Sequence, residues 1–128
     1  MPSKAEEDYI CAIWQLQEKK GRARTKDLAA ALSIQAPSVS EMLLRLQAAG
    51  LVDHEPYFGA RLTAAGGATA RRVLQRQEVF GRFLQMLGVS PKTAQRDAGV
   101  LERSLDPHTV HQLGKFVQFV DSFRSTPG

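Results

Sequence analysis

The chain has 128 residues, of which 43% are hydrophobic and 23% charged, so it can build one compact domain or a small binding unit with a helical extension, and disorder is not expected. It has no apolar run of about 18 residues and no basic-then-apolar leader, which excludes a membrane span and secretion; we expect a cytoplasmic protein. The single cysteine, Cys11, cannot form an internal disulfide, as is typical of a reducing compartment.

The net charge of +4 is concentrated in one segment. Residues 22–76 carry eight Arg and Lys against four Asp and Glu. Such a segment favours contact with phosphates, because release of counterions supplies sequence-independent affinity for DNA. On charge alone, the alternative to a DNA-binding surface is a charged surface that contacts only solvent.

The first predicted helix covers residues 4–20. Ile10, Ile13, Trp14 and Gln17 fall on one of its faces. We expect this helix to brace the segment that follows.

Residues 25–63 contain signals for two short helices. Thr25 is predicted to cap the first with its hydroxyl, and Pro37 to open the second, where a missing N–H costs nothing. Gly50 is predicted to end the second helix in the left-handed conformation. Their apolar faces are Leu28, Ala29 and Leu32 in the first helix and Val39, Met42, Leu43 and Leu46 in the second.

A β-hairpin is predicted next, with strands at 51–55 and 60–63. The connecting turn is 56–59, in which Gly59 can take a positive φ. Two helices, a tight turn and a hairpin make a winged helix-turn-helix, which is typical of DNA-binding proteins.

The rest of the chain is predicted to be helical. Residues 64–87 form a long linking helix, roughly 35 Å at about 1.5 Å per residue. Ser90-Pro91 and Asp106-Pro107 are cap-then-proline pairs that start helices at 91–104 and 107–123. The fold class is therefore mainly α, in the order α-α-α-β-β-α-α-α. We expect a DNA-binding domain at 1–63, the linking helix at 64–87 and a dimerisation domain at 88–128.

The last helix carries two apolar rows. This wide face suggests a homodimer interface, although a small helical bundle that buries both rows is an alternative. A twofold dimer would place two recognition helices in successive major grooves of a palindromic site. The rows are Val110, Leu113, Val117 and Val120, and beside them Phe116, Phe119 and Phe123.

Base-edge contacts are expected from the start of the second helix of the motif. Gln35 can pair with adenine, and Ala36 and Pro37 can touch thymine methyl groups. For the serines, capping the helix is the alternative, and for Glu41 it is an interaction with the positive helix end. The candidates are Gln35, Ala36, Pro37, Ser38, Ser40 and Glu41.

Other residues suit the DNA backbone. Lys26, Arg45 and Arg61 can bind phosphates, as can the Thr25 hydroxyl. Tyr57, with Phe58, either contacts sugar and phosphate or folds the hairpin onto the domain.

The stretch from Glu6 to Thr63, together with RQEVFGRFL in the long helix, resembles the iron- and manganese-dependent repressors of the DtxR/MntR family, and the manganese branch more closely. The resemblance implies a cytoplasmic homodimer that binds operator DNA when a divalent metal joins its DNA-binding and dimerisation parts. The end at Gly128 implies that the SH3-like domain of the iron branch is absent.

Carried over by position, the family's metal ligands are mostly lost here. Asp8 and Glu102 match carboxylate ligands, whereas Cys11 replaces a glutamate. The replaced positions also include Gln77, where the family has histidine, Gly99, where it has glutamate, and Arg103, where it has histidine. Mn²⁺ and Fe²⁺ prefer several oxygen and imidazole ligands, so no metal cofactor is expected.

We hypothesise that Arg103 pairs with Asp8 and Glu102 in place of the ion. The alternative is a reduced site of Asp8, Cys11 and Glu102 that holds Zn, Mn or Fe. Cys11 otherwise serves as an inert, partly buried residue. His108 and His111 could share a metal, but exposed surface positions suit them better.

The sequence therefore predicts a homodimeric DNA-binding transcription regulator, most simply a repressor, with a degraded metal site and no membrane contact. We expect its DNA binding to depend on no metal, or on a signal other than a metal. A winged helix that binds a protein partner is the alternative of a different class. No nucleophile and base are spaced as in an enzyme.

Overall fold

The computed structural model describes residues 2–124, in which six helices and one two-stranded sheet follow the predicted order. Met1 and the last four residues of the predicted 88–128 segment lie outside the described residues. Within them, no helix is long and apolar enough to cross a membrane. The elements are α1 (Lys4–Lys20), α2 (Thr25–Leu32), α3 (Ala36–Ala48), β1 (Val52–Glu55), β2 (Gly59–Leu62), α4 (Ala64–Met86), α5 (Pro91–Ser104) and α6 (Pro107–Arg124).

The chain forms two compact units, and the boundary lies inside α4, between Arg72 and Val73. In the first unit α1 packs against α2 and β2, and α3 packs against α2 and β1. Burial of each large aliphatic side chain in this core contributes about 1.5–3 kcal/mol. The fully buried members are Ile10, Ile13, Leu28, Val39, Leu43, Leu46 and Val52. Most of them belong to the faces predicted for the first three helices, of which Trp14, Ala29 and Leu32 are only partly buried.

Helix α1 begins with a capping box. The Ser3 hydroxyl accepts a hydrogen bond from the Glu6 amide at 3.1 Å, and the Glu6 carboxylate accepts one from the Ser3 amide at 3.1 Å. The bond from the Ser3 amide stabilises the ionised carboxylate and is the main reason that the pKa of Glu6 is lowered, with smaller contributions from the Ser3 side chain and Arg45. The helix ends at Gly21, which has a φ of +81°.

The starts of α2 and α3 differ from the prediction. Thr25 is the first residue of α2 and not its cap, because Arg24 takes the extended cap conformation. Helix α3 starts one residue before Pro37, with Gln35 as its cap. Since the first four amides of a helix have no intrahelical partner, proline fits at the second position as well as the first.

Helix α3 ends at Ala48, and Gly50 takes the left-handed conformation predicted for the end of the helix, with a φ of +77°. The Gly50 amide donates to the carbonyl of Gln47 at 3.0 Å, and the Leu51 amide donates to that of Leu46 at 2.9 Å. This pair of bonds is a Schellman motif, which turns the chain directly into β1.

Thr63 joins the end of α3 to the start of α4. Its hydroxyl donates to the Gly50 carbonyl at 2.7 Å and accepts from the Gly66 amide at 3.1 Å. A Cβ on Gly66 would lie 2.0 Å from the carbonyl oxygen of Leu51, so only glycine allows α4 to approach this closely.

The hairpin is an antiparallel pair in which Val52 lies opposite Leu62. This hairpin is the wing of the motif, and two contacts fix it to the rest of the first unit. The Leu62 amide donates to the Gln17 side chain at 2.8 Å, which confirms that α1 braces the motif. Ala23 and Ala60 exchange backbone hydrogen bonds of 2.8 and 2.7 Å, so the segment before α2 extends the sheet.

The second unit is built from the rest of α4, α5 and α6, and its buried cluster includes Phe80, Ala98 and Val110. Helix α5 is capped by Ser90 as predicted, and the Asp106 carboxylate accepts from the His108 amide at 2.8 Å at the start of α6.

The two apolar rows of α6 have different environments. Val110 and Val117 are buried. The phenylalanine row is open, since Phe116, Phe119 and Phe123 are 53%, 64% and 75% exposed. The alternative of a bundle that buries both rows within one chain is therefore wrong.

Candidate nucleic-acid interface and metal-site positions

Helix α3 presents its polar side to solvent. Its buried stripe anchors it in the first unit, so the opposite face is available to a ligand. All the base-edge candidates are exposed, namely Gln35, Ala36, Pro37, Ser38, Ser40 and Glu41.

The capping alternatives for this helix do not hold. Gln35 is the cap, and no side chain among the described residues donates or accepts a capping bond there. Ser38 and Ser40 lie inside the helix, and Glu41 is its sixth residue, beyond the first turn where the helix dipole acts most strongly. Their side chains are therefore available for a ligand.

Three cations predicted to bind phosphates, Lys26, Arg45 and Arg61, are exposed, and Thr25 is half-buried. Arg61 lies on β2 opposite Asp53, which reduces the positive charge of the wing at that point.

The wing turn separates the roles of its two aromatic residues. The guanidinium of Arg22 lies 4.9 Å from the centre of the Phe58 ring, a cation–π contact that folds this side chain onto the domain. Tyr57 is fully exposed and has a φ of +68°. Tyr57 is therefore the aromatic residue available to sugar and phosphate. Sequence reasoning missed Arg22, whose charge gave no sign of this contact.

The positions carried over from the metal ligands fall in both units. Asp8 and Cys11 are half-buried on α1, and Gln77 is half-buried on α4. On α5, Gly99 supplies no donor and Glu102 is 1% exposed, while Arg103 is exposed.

Glu102 has a partner that sequence reasoning did not name. The Nε and Nη2 atoms of Arg76 lie 3.0 and 2.9 Å from Oε1 of Glu102. The sequence contained a signal for this partner. Arg76 lies three residues after the buried Val73 and four before the buried Phe80, which places it on the buried side of α4. A cation in a buried row requires an acidic partner.

At Cys11, Gln77, Gly99 and Arg103 the chain lacks the carboxylate and imidazole ligands that Mn²⁺ and Fe²⁺ prefer. Among residues 2–124, no three His, Cys, Asp or Glu side chains form a group that could hold a metal ion. The buried carboxylate of Glu102 is already neutralised by a guanidinium, and Gln77 and Arg103 are poor ligands for these ions. His108 and His111 are exposed, and the His108 ring lies 3.4 Å from the Gln112 side chain.

Comparison with known proteins gives the chain's family. Residues 1–60 match the model of the iron dependent repressor N-terminal DNA binding domain, and residues 63–123 match that of the iron dependent repressor metal binding and dimerisation domain. The chain belongs to the iron dependent repressor family. This family consists of transcriptional regulators and not of enzymes, and its members bind DNA and form dimers through the second domain.

Two curated relatives support the manganese branch. The chain is 36% identical to the HTH-type transcriptional regulator MntR of Geobacillus kaustophilus over 93% of its own length and 84% of the relative's. It is 38% identical to the transcriptional regulator MntR of Escherichia coli O6:H1, over 88% and 72%.

Solved structures of the family share the fold. The metal-dependent transcriptional regulator MtsR matches with a TM-score of 0.75 and 25% identity, over 89% of this chain and 54% of that one. A manganese-dependent transcriptional repressor in complex with manganese matches with a TM-score of 0.74 and 28% identity, over 88% and 52%. The chain thus spans about half the length of these two regulators.

Proposed function

We propose that this member of the iron dependent repressor family is a cytoplasmic homodimeric repressor that binds operator DNA. The observation that carries the proposal is the exposed polar face of α3, held by a buried apolar face and flanked by the wing. Lys26, Arg45 and Arg61 provide positive charge around it. The exposed phenylalanine row lies in the part of the chain that matches the dimerisation domain, and it supplies an apolar surface for a second copy.

We further propose that its DNA-binding state does not require manganese or iron. Two of the six carried-over positions keep a carboxylate, and the buried carboxylate, Glu102, is paired with Arg76. A cation near this site would compete with a guanidinium fixed at 2.9 Å. The hypothesis that Arg103 bridges Asp8 and Glu102 stays a prediction, and Arg76 is added to it as a partner of Glu102.

The test is binding of the purified protein to fluorescent duplexes selected from a randomised library, with EDTA and with added Mn²⁺, together with metal analysis of the protein. We expect equal affinity in the two conditions and less than one metal per protomer. A requirement for Mn²⁺ that EDTA removes would overturn metal independence. Stoichiometric zinc would support the reduced site of Asp8, Cys11 and Glu102 instead.

Salt dependence separates DNA binding from the protein-partner alternative. We expect affinity to fall steeply between about 50 and 200 mM salt, because phosphate contacts release counterions. The variant Arg61→Ala should weaken binding to all duplexes and reduce the slope, while Gln118→Ala, an exposed position on α6, should change neither. Absence of binding to every duplex at low salt would favour a protein partner.

A further inference from the structure

Leu44 is a large apolar side chain exposed on α3. It is 63% exposed, whereas its neighbours Met42, Leu43 and Leu46 are at most 9% exposed. It is not part of the hydrophobic core of the first unit and lies outside the hairpin. Helix α3 is the recognition helix of the proposed function, and an apolar side chain on its exposed face can contact a small apolar group of the ligand.

The helix places Leu44 on the face of the base-edge candidates. It follows Pro37 by seven residues, Ser40 by four and Glu41 by three, which is one stripe of an α-helix. The recognition helix of homeodomains, a variant of the helix-turn-helix, contacts bases through residues with this same spacing, i, i+3, i+4 and i+7. Leu44 therefore completes a set of four residues directed at the groove.

The chemistry of the groove identifies the target. The C5-methyl group of thymine is the apolar group on the major-groove edges of the bases. A carboxylate at Glu41 is repelled by phosphates, so this stripe suits the base edges better than the DNA backbone. A single leucine between Ser40 and Arg45 is also too small an apolar area for a protein interface.

We propose that Leu44 is a specificity-determining residue that contacts the methyl group of one thymine in each operator half-site. The proposal rests on the proposed function, since it requires that α3 enters the major groove. Leu44 then contributes to the choice of sequence, while the phosphate-binding residues contribute affinity for any duplex.

The experiment uses duplexes that the wild-type protein selects from a randomised library. Each thymine is replaced in turn by 2′-deoxyuridine, which removes only the methyl group, and affinity is measured by fluorescence anisotropy. At one position per half-site, the thymine that contacts Leu44, we expect the wild type to lose about fourfold in affinity, the value of one buried methyl group. Leu44→Ala should bind both versions of that duplex equally. Thymines that contact Ala36 or Pro37 can show further losses, which Leu44→Ala should keep.

Gln47→Ala is the matched control, because this residue is exposed on the same helix. It should keep the response to deoxyuridine, and thermal unfolding followed by circular dichroism should show that both variants fold. The proposal is wrong if no thymine shows a methyl effect, or if Leu44→Ala retains every methyl effect that the wild type shows. If the wild type selected no duplex at low salt, the proposed function itself would be wrong.

Discussion

The carboxylate of Glu102 is almost fully buried, and Arg76 is bonded to it within the second unit. A buried charge is costly to leave uncompensated, whereas removal of both charges of a pair is often close to neutral. The stability of the dimerisation unit therefore depends on keeping both members of this pair or neither.

We expect Arg76→Met to lower the free energy of unfolding by about 2–3 kcal/mol, because it removes a guanidinium from a buried carboxylate. The double variant Arg76→Met, Glu102→Met should recover most of the loss. Urea denaturation followed by circular dichroism measures both.

Arg103→Met is the control, since Arg103 is exposed and adjacent to Glu102 in sequence. It should lower the free energy of unfolding by no more than about 1 kcal/mol, because solvent weakens the ion pairs of an exposed side chain. An effect as large as that of Arg76→Met would assign the compensating role to Arg103, as the sequence-based hypothesis states.

At the level of single residues, the sequence predicts surface candidates better than partners. The exposed residues of α3 follow directly from helical periodicity. The exposure of Tyr57 and the packing of Phe58 onto the domain could not be predicted. The difference depends on a positive φ at Tyr57, a conformation that tyrosine rarely adopts. The Arg76–Glu102 pair joins residues 26 positions apart, and helix patterns alone do not specify such a pairing.

At the level of elements, Gly66 and Gly99 lie in helices but have opposite surroundings. Gly66 faces the backbone of Leu51, whereas a Cβ on Gly99 would meet nothing within 4 Å. Glycine within a helix costs about 0.5–1 kcal/mol relative to alanine unless space requires it.

We therefore expect Gly99→Ala to raise the free energy of unfolding by about 0.5–1 kcal/mol, and Gly66→Ala to lower it by at least about 2 kcal/mol, since α4 must move away from the hairpin. Chemical denaturation of the two variants beside the wild type tests this. A neutral Gly66→Ala variant would show that the approach of α4 to Leu51 is not fixed.

The order and bounds of the elements were largely predictable, because cap residues, prolines and glycines mark most of the helix ends. The errors are one-residue shifts at the starts of α2 and α3, in both strands, and at the ends of α4 and α6. Those at α2 and α3 arise where Arg24 and Gln35 take the cap conformation without a capping side chain among the described residues. The boundary between units inside α4 has no signal in composition, since it is set by contacts.

At the scale of the whole molecule, the phenylalanine row of α6 stays exposed to solvent in a single chain. Phe119 and Phe123 contact each other, with ring centres 6.1 Å apart. They lie in the part of the chain that matches the dimerisation domain.

We expect Phe119→Asp to convert the dimer to a monomer, because it places a charge in an apolar interface. Sedimentation velocity should show this change, and affinity for a selected two-half-site duplex should fall at least tenfold, or about 1.4 kcal/mol, as only one recognition helix remains per molecule. Gln118→Asp, on another side of α6, should remain a dimer. A dimeric Phe119→Asp protein would place the interface elsewhere.

The hydroxyl of Thr63 has a consequence for the timing of local opening. It bonds Gly50, in the turn that directly follows α3, and Gly66, in the first turn of α4. Opening at either place therefore breaks a hydrogen bond of the same hydroxyl. Amide hydrogen exchange at Leu51 and Gly66 should therefore proceed at a common rate, and Thr63→Val should accelerate both, so that two helix ends behave as one cooperative opening unit.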